Sequence, residues 1–292
     1  AVFEDTGSPG GHTAPAWVTK LAEGRGFGRN IEKIGPSWWC EAPNDLDDVN
    51  DAELARDELF RVMLAYFNYL KNLWEEKDRA ANYRFARMPF IDAKRESRRM
   101  VGDYILTQND CVAGRVFDDV IAHSGWPIDL HHPRGIYSGA EGPFFSNCHV
   151  PMVQIPYRCT YSANIENLFA AGRNISATHV AMGTTRVQAT IAEVAQAVGT
   201  AAAMCMEMRL TPRQLGQNHI AKLQQRLLRA DAYIPGIQNT DEDDLARRAK
   251  ATASSVCKTE RWWPHLGLDG ALLPLDRQRA TFLARGVSQD IP

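Results

Sequence analysis

The sequence lacks most of the features that announce a function at first sight. No apolar run approaches the ~20 residues of a membrane-spanning helix; the best candidate, residues 192–208, is interrupted by Glu193, Gln196 and Glu207. Positive charge is not in surplus, since 33 Lys and Arg face 35 Asp and Glu. That balance argues against nucleic acid as a partner and provides no acidic tail. Six cysteines occur (Cys40, Cys111, Cys148, Cys159, Cys205 and Cys257) without a C-x-x-C pair, so zinc-ribbon and thioredoxin-like motifs are excluded. Most are expected as buried free thiols, with Cys148 and Cys159 able to pair in an exported chain. No spacing of His, Cys and carboxylates reaches that of a metal site, and no G-x-S-x-G elbow supports a serine hydrolase. The run "GRGFGRN", with Gly24, Gly26 and Gly28, imitates a dinucleotide loop. Arg29 stands where the third Gly belongs and no apolar strand precedes it, so it reads as surface loop.

What remains is an ordinary globular composition. The chain has 292 residues, 45% hydrophobic and 23% charged, enough for about two domains at roughly 150 residues each. It begins at Ala1 without Met or a signal-peptide pattern. The reading expects further residues upstream and assigns no compartment. Residues 1–30 read as loop-rich. A helix is predicted over 50–77, where Leu59, Phe60, Met63, Phe67, Leu70 and Trp74 recur at helical steps, with Asn50 as cap and Glu53 as its reciprocal partner. Strands are predicted at 85–91, 101–106, 150–157 and 168–171. Thr107 or Asn109 is expected to cap a helix running toward Ala122. Residues 125–137 should break regular structure. Helices follow at 189–208, at 212–232 behind a Thr211-Pro212 start, and from the acidic "TDEDD" at 240.

The most informative stretch is "NLFAAGRNISATHVAMGTTRVQATIAEVAQAVGTAAAM", residues 167–204. An apolar run ends on Gly172, a residue that leaves room for a turn or an approaching ligand. The segment Gly183-Thr184-Thr185 reads as a loop before a helix, so unpaired N–H groups and the helix dipole would meet there beside Arg186. Such a place suits an anion or an electron-rich ring. In the helix itself, Ile191, Val194, Val198, Ala201, Ala202 and Cys205 form a sealed face, and Gly199 with many Ala allows a neighbour to come close. Close helix packing alone is the commoner reason for such small residues.

This stretch resembles the late FAD-contacting element of flavoproteins with the glutathione-reductase-type fold. More narrowly, it is similar to the bacterial FAD-dependent oxidoreductase family, whose motif runs N-L-x-x-A-G-R-x-I-S-x-T-H-x-A-x-G-x-x-R-V-x-x-T. "RDELFRVMLAYFNYLKN" from Arg56, "KRESRRMVGDYILTQND" from Lys94 and "GWPIDLHHP" from Gly125 match in the same order, and the likeness runs from about Thr6 to Ser255. The resemblance implies FAD as cofactor. Gly172, Arg173 and Asn174 would lie near its ribityl and diphosphate part, and Gly183, Thr184, Thr185, Arg186, Val187 and Gln188 near the pyrimidine edge of the flavin. It also implies an opening strand, a G-x-G-x-x-G loop and an acidic residue that this sequence does not show. The expectation is a fragment whose phosphate-binding segment lies upstream or on another chain, and which alone binds FAD weakly.

On the substrate side, His131 (in "DLHHP") and His179 are candidates for proton transfer, and Arg98, within "RESRR", for clamping an anionic or hydroxylated small molecule. Solvated or structural roles fit the same residues, and Trp38, Trp39 and Trp126 are more simply core than a sugar platform. The fold class read from these signals is α/β: an α+β substrate region at 31–155, the closing strand and helix of an FAD-binding domain at 156–210, a helical extension at 211–254 and a further truncated region at 255–292. The function read is hydride transfer from a small-molecule donor, carbohydrate-related compounds among the candidates, to flavin. Two other readings stay open: a non-redox carbohydrate-active enzyme of the polysaccharide-lyase type, and a non-catalytic subunit completing a partner's flavin site.

Overall fold

A computed structural model of the chain describes residues 2–18, 41–43, 45–47, 49–91, 93–135, 137–138 and 144–244. The elements are β1 (Val2–Asp5), α1 (Ala52–Asn68), β2 (Tyr83–Arg87), α2 (Gln108–Ala113), β3 (Val120–Ser124), β4 (Ile128–His131), β5 (Phe144–Cys148), β6 (Val153–Pro156), α3 (His179–Thr185), α4 (Gln188–Met208) and α5 (Pro212–Arg229). Helices with small sheets make the class α/β, as the sequence indicated. Strands pair as β1 with β2, β3 with β6 and β4 with β5. Two compact units result: Ala1–Arg98 with Asp129–Asn147, and Arg99–Ile128 with Cys148–Pro292. "GRGFGRN", Cys40, Trp38 and Trp39, Cys257, and the helix expected beyond Asp244 lie outside the described residues.

In the first unit, α1 forms where the helical apolar spacing requires it. Val62, Ala65, Tyr66 and Phe67 are buried along one stripe. The helix then widens into a π-helical turn, Tyr69–Leu73, and stops where Trp74 turns extended. Leu70 and Trp74 continue the buried stripe, with Tyr66 and Ala80. The start differs from expectation. Asn50 makes no cap; its amide donates to Asp47 Oδ2 at 2.8 Å, and Asp51 stands at the N-cap with its carboxylate accepting from Asp47 N–H at 3.0 Å instead of capping the helix. Residues 2–5, expected as loop, form a strand because β2 supplies an antiparallel partner and Phe3 inserts against Phe67, ring centroids 4.9 Å apart. The strand expected at 85–91 sits at Tyr83–Arg87 instead, and Phe90 and Ile91 are exposed.

In the second unit, β3 and β6 are antiparallel, with Ala122 opposite Ile155 and Ser124 opposite Val153. Both strands are almost wholly buried. Thr107 does cap a helix, through a capping box with Asp110, but α2 ends at left-handed Gly114. The expected continuation toward Ala122 is instead strand β3. α4 buries Val194, Ala197, Val198, Ala201, Met204 and Cys205 against α5 and β3. Gly199 is exposed with open space around it, so it serves no close approach. α5 starts as predicted, with Thr211 and Gln214 in a capping box and Pro212 in the first turn. Cys111, Cys159 and Cys205 are buried free thiols; Cys148 is free and exposed, so it makes no bridge to Cys159. Trp126 is also exposed rather than core.

Residues 101–106 and 168–171, both expected as strands, form only isolated bridges, Leu106 to Ala177 and Tyr161 to Phe169. The reason is a backbone crossing. Residues 100–106 thread between residues 158–161 and 174–178: Met100 N–H donates to Asn174 O, Tyr104 N–H to Arg158 O, Leu106 N–H to Ser176 O, and Thr178 N–H returns to Leu106 O. Gly102 lies at the crossing, where a Cβ would come 2.5 Å from Arg158 O, 3.0 Å from Tyr161 O and 3.1 Å from Ser176 Cβ. No side chain fits. Beside it, Asp103 accepts from Tyr161 Oη at 2.9 Å and from Arg213 Nε at 2.7 Å, anchoring the thread to the start of α5. Arg213's hydrogen bond holds the Asp103 carboxyl below its ordinary range against opposing burial. Gly102→Ala should therefore destabilise the protein by about 3 kcal/mol, the upper end of overpacking costs, seen as a lowered midpoint in chemical denaturation; an unchanged midpoint would mean the crossing yields without cost.

Candidate functional site

The segment that carries the FAD resemblance is laid out by this crossing. Ala170 N–H donates to Thr160 O at 2.8 Å, and Ser176 N–H to Cys159 O at 2.8 Å. Between them the chain makes a surface turn, with Ile175 N–H to Gly172 O at 3.4 Å. Arg173 and Asn174 are exposed on it. A Cβ at Gly172 would come 3.1 Å from Asn174 Oδ1, so the glycine makes room for a side chain of its own turn.

Gly183, Thr184 and Thr185 are not loop. They lie in α3, buried, after Thr178, whose hydroxyl accepts from Ala181 N–H. Thr184 is turned inward: its hydroxyl donates to Trp126 O at 2.6 Å, and Ser124 Oγ, 3.0 Å from that hydroxyl, donates to Thr184 O at 2.8 Å. The chain breaks only at Arg186 and Val187 before α4 begins. Val187 is the N-cap of this 21-residue helix and has no side-chain acceptor to offer. Gln188 and Ala189 are exposed, so the first turn presents N–H groups that the chain's own side chains do not cap.

Three basic side chains share this neighbourhood. His179 begins α3 exposed at the surface, and its pKa is depressed below the ordinary 6.5, first by partial desolvation and then by the charges of Arg99 and Arg186. Both arginines therefore lie within electrostatic reach of His179. His179 is neutral at pH 7, and the two guanidiniums set the local charge. Arg99 was not singled out from the sequence; it differs from Arg98 in nothing but its position in "RESRR". Within the same motif, Ser176 is fully buried and its hydroxyl has no hydrogen-bond partner among the described residues.

The other two candidates belong to the first unit. Arg98 is exposed and acts electrostatically on Asp47. His131 ends strand β4 rather than lying in irregular loop. Its Nδ1 is 2.6 Å from Glu41 Oε1, its Nε2 is 3.1 Å from Arg95 Nη1, and Asp129 Oδ2 is 3.6 Å from Nε2. Glu41 lies far away in sequence and carries no motif signal, so only the fold could bring it here.

A mixed α/β fold whose long helix α4 starts without a side-chain cap directly after Arg186 suits an anionic cofactor at that place. A family model described as FAD dependent oxidoreductase matches residues 12–227, and the chain belongs to that family. It is accordingly a flavin oxidoreductase that depends on FAD. No curated protein and no solved structure matches it. The residues present suit this cofactor by charge, because its diphosphate is anionic and its flavin gains negative charge on reduction, while Arg99, Arg186 and the N–H groups at the start of α4 are positive.

Two expectations follow. Arg99→Gln and Arg186→Gln should each weaken FAD binding about tenfold, about 1.4 kcal/mol, in a flavin-fluorescence titration, and flatten its salt dependence; unchanged affinity in both would remove the arginines from the site. His179 also imposes a pH dependence. Because its folded pKa is depressed, the unfolded chain takes up the proton more readily. Stability is whole above pH about 6.5 and falls as pH drops from there through the depressed folded value. His179→Asn should reduce that acid-side loss in thermal melts taken across the window.

Proposed function

We propose that the protein oxidises a small alcohol or amine, carbohydrate-related compounds included, by hydride transfer to its flavin. The observation that carries this reading is the electrostatic grouping of Arg99 and Arg186 around His179, within the segment that the family model covers. In this reading Gly172, Arg173 and Asn174 hold the ribityl and diphosphate end of FAD. Arg186, Val187 and Gln188 meet the pyrimidine edge, and Gly183, Thr184 and Thr185 support it through the buried helix behind. When bound, the flavin supplies a two-electron acceptor for the hydride that leaves the donor's C–H bond.

The chain's own residues do the rest. A neutral imidazole is the form that accepts a proton, and the depressed pKa of His179 keeps it in that form at neutral pH. As the donor's O–H or N–H bond breaks, the proton passes to a ring nitrogen of His179 and the freed electron pair completes the C=O or C=N bond. Arg99 and Arg186 stabilise the negative charge that arrives at the pyrimidine edge and oppose its return. His131 remains the second candidate for proton transfer and Arg98 for holding the donor. Arg98 is the weaker of the two, because its side chain is exposed.

Anaerobic mixing of the FAD-loaded protein with neutral sugars, simple alcohols and primary amines tests the reading. It expects bleaching of the oxidised flavin band with at least one class, and a rate at least a hundredfold lower in His179→Asn, as for loss of a general base. No bleaching with any of them, together with appearance of unsaturated product from an acidic polysaccharide, would replace it with the lyase reading.

A further inference from the structure

Strand β3 ends against the junction between α3 and α4, and its last residues hold that junction from both sides. Among the described residues, β3 has a strand neighbour, β6, along one edge only. Polar groups at its end find their partners in the helices instead. Ser124 and Thr184 are 1% and 0% exposed. A hydroxyl carries one proton and a carbonyl can only accept, so the direction of each bond between them is fixed. Ser124 Oγ donates to Thr184 O at 2.8 Å, and Thr184 Oγ1 donates to Trp126 O at 2.6 Å. Trp126 N–H closes the ring on Ser124 Oγ at 3.3 Å. Thr184 O belongs to the last turn of α3, where carbonyls lack intrahelical partners, so Ser124 caps that helix from a neighbouring strand.

The residue before Ser124 grips the other helix. His123 N–H donates to Glu193 Oε2 at 3.1 Å, and Glu193 lies in the second turn of α4. Consecutive residues of one strand are thus fastened to the helix before the junction and to the helix after it. Between the two ties run Thr185, Arg186, Val187 and the exposed Gln188 and Ala189, in a helix start that no side chain caps. α4 is 21 residues long and makes its own interior hydrogen bonds without the Glu193 carboxylate. What the ties add is the placement of the short stretch between them. A stretch ordered in advance does not have to be ordered when a ligand binds.

We propose that Ser124, Thr184 and Glu193 are positioning residues for the cofactor: they hold the 185–189 stretch in its binding form before the flavin arrives, a role that rests on the cofactor placement proposed above. Their polar groups are engaged inside the protein, so each acts through the backbone of the junction and not on the cofactor itself.

Paired variants of the 292-residue chain test this by flavin-fluorescence titration and amide exchange. Thr184→Ser keeps the hydroxyl and should keep the affinity for FAD. Thr184→Val and Ser124→Ala each remove a tie and should bind FAD about fivefold more weakly, within the worth of one hydrogen bond. Glu193→Gln and Glu193→Leu both remove the charge, but only the first leaves an acceptor for His123 N–H, so the second should bind about fivefold more weakly than the first. Without cofactor, exchange at 186–190 should be faster in the weakened variants than in the unaltered protein, and saturating FAD should restore the unaltered rate. Glu193 is partly exposed, so its pair decides the matter should the buried variants not fold. Equal FAD affinity within both pairs overturns the proposal, and so does weaker binding without faster exchange at 186–190 in the cofactor-free variants. Arg186→Gln separates that failure from a failure of the cofactor placement. If it weakens FAD binding while the pairs stay equal, the ties alone are wrong. If it too binds as the unaltered protein does, the placement is wrong and the ties lose their role with it.

Discussion

Everything placed around the flavin segment depends on one close backbone contact, the passage of Gly102 between Arg158 O, Tyr161 O and Ser176 Cβ. Backbone hydrogen bonds run outward from that point to Asn174, Ser176 and Thr178 on one side and to Arg158 on the other. They bring together two stretches that are some seventy residues apart in sequence, "RRMVGDYIL" and "AAGRNISATH". Side chains then lock the arrangement. Arg158 pairs through Nε and Nη2 with the two oxygens of Asp119, at 2.9 and 3.0 Å, and Tyr157 sends its hydroxyl proton to Pro212 O. Gly216 repeats the logic at a second place, because a Cβ there would fall 2.8 Å from the Tyr157 ring. Arg99 lies just before the thread and His179 just after its last hydrogen bond. The crossing therefore explains why these two residues act on each other.

The electrostatics of the site follow from what each part can satisfy internally. The Thr184 hydroxyl, its carbonyl and Ser124 bond one another in the interior, which leaves Thr184 nothing to offer a ligand directly. Val187 has no such capacity, and the start of α4 remains chemically open. One sequence motif thus divides into a buried half that gives rigidity and a half-exposed end that keeps its donors available.

Legibility in the sequence followed the range of the forces involved. α4 and α5 were readable because their signals are local: a small-residue apolar stripe in one, Thr211-Pro212 with Gln214 in the other. The Thr107 cap was readable for the same reason, but its length was not, since the stop depends on Gly114 adopting φ 59°. Residues 101–106 and 168–171 misled because apolar β-branched and aromatic composition marks extended chain, and extended chain without a full ladder is what they form. Residues 2–5 were invisible because β1 exists only through β2, eighty residues on. FAD dependence was legible through a long ordered motif. The site's electrostatic partners were less so: nothing in "RESRR" separates Arg99 from Arg98, and nothing marks Glu41 at all.

A cofactor that meets the chain at the Gly172 turn and at the start of α4 must protect both places. Amide hydrogen exchange, mapped along the chain with and without saturating FAD, should therefore slow at residues 172–175 and 186–190, with little change in the already buried 181–185. Exchange at 172–175 and 186–190 that is indifferent to FAD, while protection appears elsewhere, would contradict that placement.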